Sequence, residues 1–187
     1  MDIDLNTMLV ALMFVTILSM GIGNILGTMA DIFNHGTTAR RDRVHVAWII
    51  LLLVVHFNLF WHTKAILDVA EWTFGGFMIA MAGPVLIFLA TSILLTNPPD
   101  ENPADMQKFF VKLGRRFFFV FALTQVWILL AGYAMTAVFV VTDLVNVAFV
   151  ILAVVLATAK AHRVQVAGIA AAWGLGLASL AIRGLNL

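Results

Sequence analysis

The chain has 187 residues, of which 63% are hydrophobic and 11% charged, with a mean hydropathy of +1.03 and a formal net charge of +1. Soluble domains are roughly half apolar and a quarter charged, so this composition excludes an ordinary water-soluble domain and marks an integral membrane protein. The absence of cysteine excludes disulfides, thiolate metal sites and thiol catalysis, and the near-neutral charge gives no reason to expect a nucleic-acid partner.

Charged residues fall in clusters, and between them lie apolar runs of about 20 residues, the length that crosses ~30 Å of hydrocarbon as a helix. The alternating ~10-residue segments of a β-barrel are absent. The expectation is therefore an all-α, polytopic bundle of six transmembrane helices with short loops, forming a single domain over 1–187.

Segment 1 covers about 5–30 and follows Asp2 and Asp4 rather than a basic leader, so it reads as a retained helix. Gly23 and Gly27 form a GxxxG pair that lets another helix approach closely, and Asn24 lies between them. A polar stretch with Arg40, Arg41 and Arg43 follows. Asp31 and His35 have the i, i+4 spacing that helical metal sites use, but two ligands at a helix end do not make a centre, and no metal is expected.

Segment 2, about 44–64, is the most informative. His56 lies near the middle of an apolar run, where a polar group is costly and is a site candidate by default. At 100° per residue, His45, His56 and Thr63 share one face, and Asn58 and His62 fall nearly opposite. A segment polar on two faces needs neighbours or water on both. Two readings of His56 stand: one hydrogen bond to a carbonyl that fixes packing, or a residue that lines a path. Lys64, Asp68 and Glu71 then fall in a turn, where solvated ion pairs are expected.

Segment 3, about 71–96, carries Pro84, which leaves the carbonyl of Ala80 without its usual amide partner and predicts a kink. The loop NPPDENPAD follows, and Pro103 can open a short interfacial helix over about 104–113. From Phe117 to Ala159 there are 43 almost uninterrupted apolar residues. One helix of that length would be about twice the membrane thickness, so two spans are required. The reversal is expected within 132–142, giving segment 4 at about 116–135 and segment 5 at about 138–159.

Thr124 and Gln125 lie near the middle of segment 4. For Gln125 and Asn24 the plain reading is interhelical hydrogen bonding. Asp143 depends on where segment 5 begins. A start near Val138 puts it and Asn146 inside the membrane as a proton or cation site, and a start at Thr142 makes it an N-terminal carboxylate favoured by the helix dipole. The second is preferred. Segment 6, about 164–182, has Gly168, Ala172 and Gly176 at four-residue spacing, a small-residue stripe that marks a helix contact within or between subunits.

The turns after segments 1, 3 and 5 hold Arg40, Arg41, Arg43, Lys108, Lys112, Arg115, Arg116, Lys160 and Arg163, nine of the eleven basic residues. The positive-inside rule makes those turns cytoplasmic and places both termini outside. Trp61, Trp72 and Tyr133 then fall near one interface and Trp48 near the other, as aromatic belts do.

No motif specifies a reaction. Ser19, Ser92 and Ser179 have no nucleophile setting, HExxH is absent, and His45 and His56 are about 16 Å apart along one face, too far to ligate one iron together. A haem would need His56 from two subunits. These residues point to a non-enzyme without cofactor or catalytic residues, whose partners are the lipid bilayer and other copies of itself, in the inner membrane of a bacterial-type cell. The leading expectation is a path for an ion or small solute, lined by candidates His56, Asn58, Asn24, Gln125, Asp143 and Asn146. The alternative is a non-transporting scaffold or anchor in a larger membrane complex, with a cofactor or quinone bound there.

Overall fold

A computed structural model of the chain describes residues 4–35, 43–69, 71–96, 103–136, 138–159 and 161–184, with side chains except at 35, 103–111, 135–136 and 183–184. Seven helices follow in order: α1 Leu5–His35, α2 Arg43–Trp61, α3 Lys64–Leu67, α4 Phe74–Leu95, α5 Pro103–Thr136, α6 Val141–Thr158 and α7 His162–Gly184. No strand occurs among the described residues. Six stretches are long and apolar enough to cross a membrane: Leu5–Asn34, Arg43–Leu67, Phe74–Leu95, Lys112–Ala134, Val141–Thr158 and His162–Ile182. They match the six expected segments.

The packing is an arc of helices around α2. α7 packs on α6, α6 on α5, α5 on α4 and α4 on α1, while α1, α4 and α7 also pack on α2. Trp48 of α2 reaches the fifth helix, meeting Phe117, Phe118 and Phe121 edge-on with ring centroids 5.5, 5.1 and 5.9 Å away. A helix surrounded in this way needs apolar residues all round. The α2 sequence RVHVAWIILLLVVHFNLFW supplies them, with Ile49, Leu51 and Leu52 at most 2% exposed. Because lipid is as apolar as leucine, van der Waals contact and hydrogen bonds hold such a bundle together.

Each turn can be traced to local chemistry. α2 ends at Trp61, before the expected boundary, where His62 and Thr63 bond back to Leu59 and Phe60 and tighten the chain. The short α3 that follows tucks Ile66 into the core. Lys64 lies over the Trp61 ring, 5.3 Å from its centroid, rather than pairing with Asp68 as expected. α4 begins at Phe74 because Thr73 caps it, its Oγ1 accepting from the Gly76 N–H at 3.1 Å. The reversal between α5 and α6 falls at 137–140, inside the expected window.

One expectation is corrected. The separate interfacial helix at about 104–113 does not exist: Pro103 opens α5, which continues without a break to Thr136. After Pro103 there is no further proline, and Gly114 has the Phe118 ring where a side chain would sit, so nothing stops propagation. At 1.5 Å per residue α5 is about 51 Å long, and its first turns extend beyond the apolar span.

Small residues mark two close approaches. The stripe on α7 works inside the chain: Gly168 receives Leu156 of α6, Ala172 is fully buried, and Gly176 lies against Leu51 of α2. Gly83 of α4 receives the indole of Trp127, whose Nε1 donates to the Ile79 carbonyl at 2.6 Å. α4 runs unbroken through the buried Pro84. The carbonyl that takes the indole is one residue before Ala80, whose amide partner the proline removes.

Gln165 ties α6 to α7. Its Nε2 donates to the carbonyl of Leu156 in the last turn of α6 and to that of Ala159, which caps the helix, both at 3.1 Å. Gln165→Leu is expected to lower stability by roughly 1–2 kcal/mol. Gln165→Glu should lower it further, since a carboxylate would aim acceptor oxygens at two carbonyls. Equilibrium unfolding of purified protein in mixed micelles checks the order, and a glutamate variant more stable than the leucine one would refute the clamp.

Candidate functional site

The polar interior is built mainly from side chains that bond to their own helices. Thr91 donates to the Ile87 carbonyl at 2.9 Å and Thr124 to Val120 at 3.0 Å, each reaching one turn back. Both residues are fully buried. This self-satisfaction lets a hydroxyl sit in apolar surroundings without a partner helix.

His56 follows the same pattern with one half of its ring. It is fully buried, and Nδ1 lies 2.8 Å from the Leu52 carbonyl. A carbonyl only accepts, so Nδ1 carries the proton and Nε2 presents its lone pair. That nitrogen is buried and has no partner within the protein. It points at Gly21 of α1, where a Cβ would collide with the ring. The two helices meet so closely here because residue 21 has no side chain.

His45 does something different. It is buried, and its Nε2 lies 2.6 Å from the Leu94 carbonyl in the last turn of α4. It therefore completes the C-terminus of a neighbouring helix. Thr63 is also turned inward, with its hydroxyl buried and unpartnered. His45 and His56 thus occupy the interior side of α2 that their spacing predicts, and Thr63, just beyond its end, also turns inward. Asn58 is half-buried on another face, and His62 is exposed.

Gln125 and Asn146 come to one level. The rings of Phe121 and Phe149 meet at 6.0 Å between α5 and α6, which run in opposite directions. Gln125 lies four residues beyond Phe121 and Asn146 three before Phe149, both toward the 137–140 reversal, about 6 and 4.5 Å along their axes. Both side chains are buried, at 3% and 9% exposed, and form a polar layer in the α5–α6 seam.

Two pathway candidates are placed elsewhere. Asn24 is exposed on the outer side of α1, and Gly23 and Gly27 meet no neighbouring side chain within the chain. The reason is rotational: Gly21 and Ile25 face inward, which turns 23, 24 and 27 out. Asp143 stands at the start of a helix, as its preferred reading expects. α6 begins at Val141, so Asp143 sits in its first turn, and its Oδ2 accepts from the Val140 N–H at 2.8 Å.

Three contacts were not singled out by sequence reasoning. They are Gly21 against the His56 ring, Gln165 across the α6–α7 turn, and the Gly83–Trp127 pair. A glycine eleven residues before a run of polar sequence carries no signal for the side chain it will meet. Gln165 carried a weak one, an amide four residues after an interhelical reversal.

Among the described residues, no three histidine, aspartate or glutamate side chains gather as metal ligands. His56 is enclosed within one copy of the chain, so in this conformation two copies cannot share an iron through it. What the fold and its interior define is a multi-pass membrane protein with six apolar helices and a histidine buried at the α1–α2 contact. Comparison with protein-family models, with curated proteins and with solved structures finds no match.

Proposed function

We propose that the protein provides a path for an ion or small solute, as a homo-oligomer, in the cytoplasmic membrane of a bacterial-type cell. The observation that supports this most is the buried, unpartnered Nε2 of His56 inside a span. An unsatisfied buried acceptor costs ~1–3 kcal/mol, and a leucine or a back-bonded threonine would pack there without that loss. A lone pair held in a fixed direction by the Leu52 bond suits acceptance of a proton or of a hydrogen bond from a permeant. Gly21 lies against it, so such a partner would reach Nε2 when α1 shifts away from α2. The basic residues support the orientation: Arg43 and Arg163 stand at the starts of α2 and α7, and Arg115 and Arg116 near the start of the apolar span of α5, ends that alternate to one side, which the positive-inside rule makes cytoplasmic.

His56→Leu in reconstituted liposomes tests this reading. Flux of protons, cations or anions is expected to fall at least about tenfold, the equivalent of one lost hydrogen bond to the permeant. Unfolding in micelles verifies that the variant stays folded. Undiminished flux in the folded variant removes His56 from any path.

The second reading, a non-catalytic scaffold in a larger membrane complex, draws on a different observation. Gly23, Asn24 and Gly27 face outward on α1, where a partner helix would find small residues and an amide. Purification distinguishes the two, because a stable co-purifying membrane protein favours the scaffold.

A further inference from the structure

α6 and α7 are the end of the arc. Much of their surface faces outward: Ile151, Val154 and Val155 of α6 and Val166, Leu177 and Leu180 of α7 are exposed. Between them runs a groove of about 540 Å³, lined by Ala148, Ile151 and Val155 of α6 and Ala171, Gly174 and Leu175 of α7. Its walls are entirely aliphatic. Gly174 forms part of its floor, and a Cβ added there meets nothing within 4 Å.

The groove has a charged end. Arg163, Ala167, Ala171 and Gly174 recur at intervals of four, four and three residues, and all four are exposed. At 100° per residue, Arg163 and Gly174 differ by only about 20° around the axis and lie about 16 Å apart along it. Arg163 is therefore placed on the groove's side of α7, at the end of the helix next to the α6–α7 turn. A shallow aliphatic groove with a cation at one end has the complementarity of one molecule: a chain of methylenes joined to a phosphate.

We propose that this groove binds the acyl chain of an anionic phospholipid whose headgroup phosphate sits on Arg163. Arginine presents a planar fork that matches two phosphate oxygens, and cationic sites between helix ends favour anionic lipid. A second copy of the chain fits less well. A two-fold contact along this groove would set Arg163 against the partner's own Arg163, with like charges opposed at the edge of the membrane. The lipid would cover the aliphatic surface of the α6–α7 hairpin that no other helix reaches.

The test is native mass spectrometry of the full chain, purified in detergent and equilibrated with equimolar phosphatidylglycerol and phosphatidylcholine. The wild type is expected to retain phosphatidylglycerol about fivefold over phosphatidylcholine, the effect of one cation at an anionic surface. Arg163→Gln should abolish that preference, and Gly174→Leu, whose Cβ meets no neighbour, should reduce retention of both lipids. Both positions face outward, and Arg163→Gln decides the matter alone should Gly174→Leu disturb the fold. Equal retention of the two lipids by the wild type, or a preference that survives Arg163→Gln, overturns the proposal. A dimer dispersed by Gly174→Leu also overturns it, since a second copy would then be the occupant.

Discussion

Trp48→Ala is expected to lower the stability of the bundle by about 3–5 kcal/mol, the largest effect of any single truncation on α2. The indole is 1% exposed and is the hub through which α2 touches α5, edge-on to Phe117, Phe118 and Phe121. Each such pair contributes ~0.5–1.5 kcal/mol beyond the area it covers, and alanine removes three of them while leaving a cavity between rigid helices. Lipid cannot fill a cavity enclosed by protein, so the lost contacts are not replaced. The indole N–H is buried without a partner, so it adds nothing to the stability that the ring supplies. Trp48→Phe should therefore cost less than about 1.5 kcal/mol, because it keeps an aromatic edge and removes an unsatisfied donor. Equilibrium unfolding of both variants in mixed micelles measures the contrast. Equal losses for alanine and phenylalanine would mean that the N–H, not the ring packing, carries the contact.

Gly83→Leu is expected to be comparably severe, at about 3 kcal/mol or more. Even a single Cβ at residue 83 would collide with the six-membered ring of Trp127. The ring cannot simply turn aside, because its Nε1 is bonded to the Ile79 carbonyl at 2.6 Å on the same helix as the glycine. Displacing it combines overpacking, ~1–3 kcal/mol, with a broken interhelical bond of ~0.6–1.7 kcal/mol. A double-mutant cycle isolates the cause. In a Trp127→Ala background the pocket is vacant, and the leucine should cost at least 1–2 kcal/mol less than in the wild type. Additive losses would show that Gly83 is needed for another reason, such as its place beside Pro84 in α4.

Neither contact is legible in the one-dimensional pattern. Trp48 reads as an interfacial aromatic because it lies five residues from Arg43, and its place among three phenylalanines depends on how α5 is rotated. Gly83 reads as background beside a proline. The GxxxG pair of α1 reads as a packing motif, yet Gly23 and Gly27 meet no neighbour among the described residues while Gly21, outside the motif, makes the close approach to His56. Spacing identifies which residues share a face. It does not say which face a neighbour will cover.

What the amino-acid sequence by itself determined is the membrane class and the six spans. Hydrocarbon has no hydrogen-bond partners for a backbone, so any run of about 20 apolar residues must close its bonds as a helix, whatever it packs against. The interior side of α2 was also readable, because helical geometry locks His45 and His56 onto one face. Only the tertiary structure decided that His56 is enclosed by Gly21, that Asn24 faces outward, that Asp143 caps a helix and that α5 runs unbroken from Pro103. Those outcomes depend on the rotation of each helix about its own axis and on where each one stops. In a chain this apolar, nearly every face can meet either lipid or protein, so small differences in fit between side chains settle the rotation.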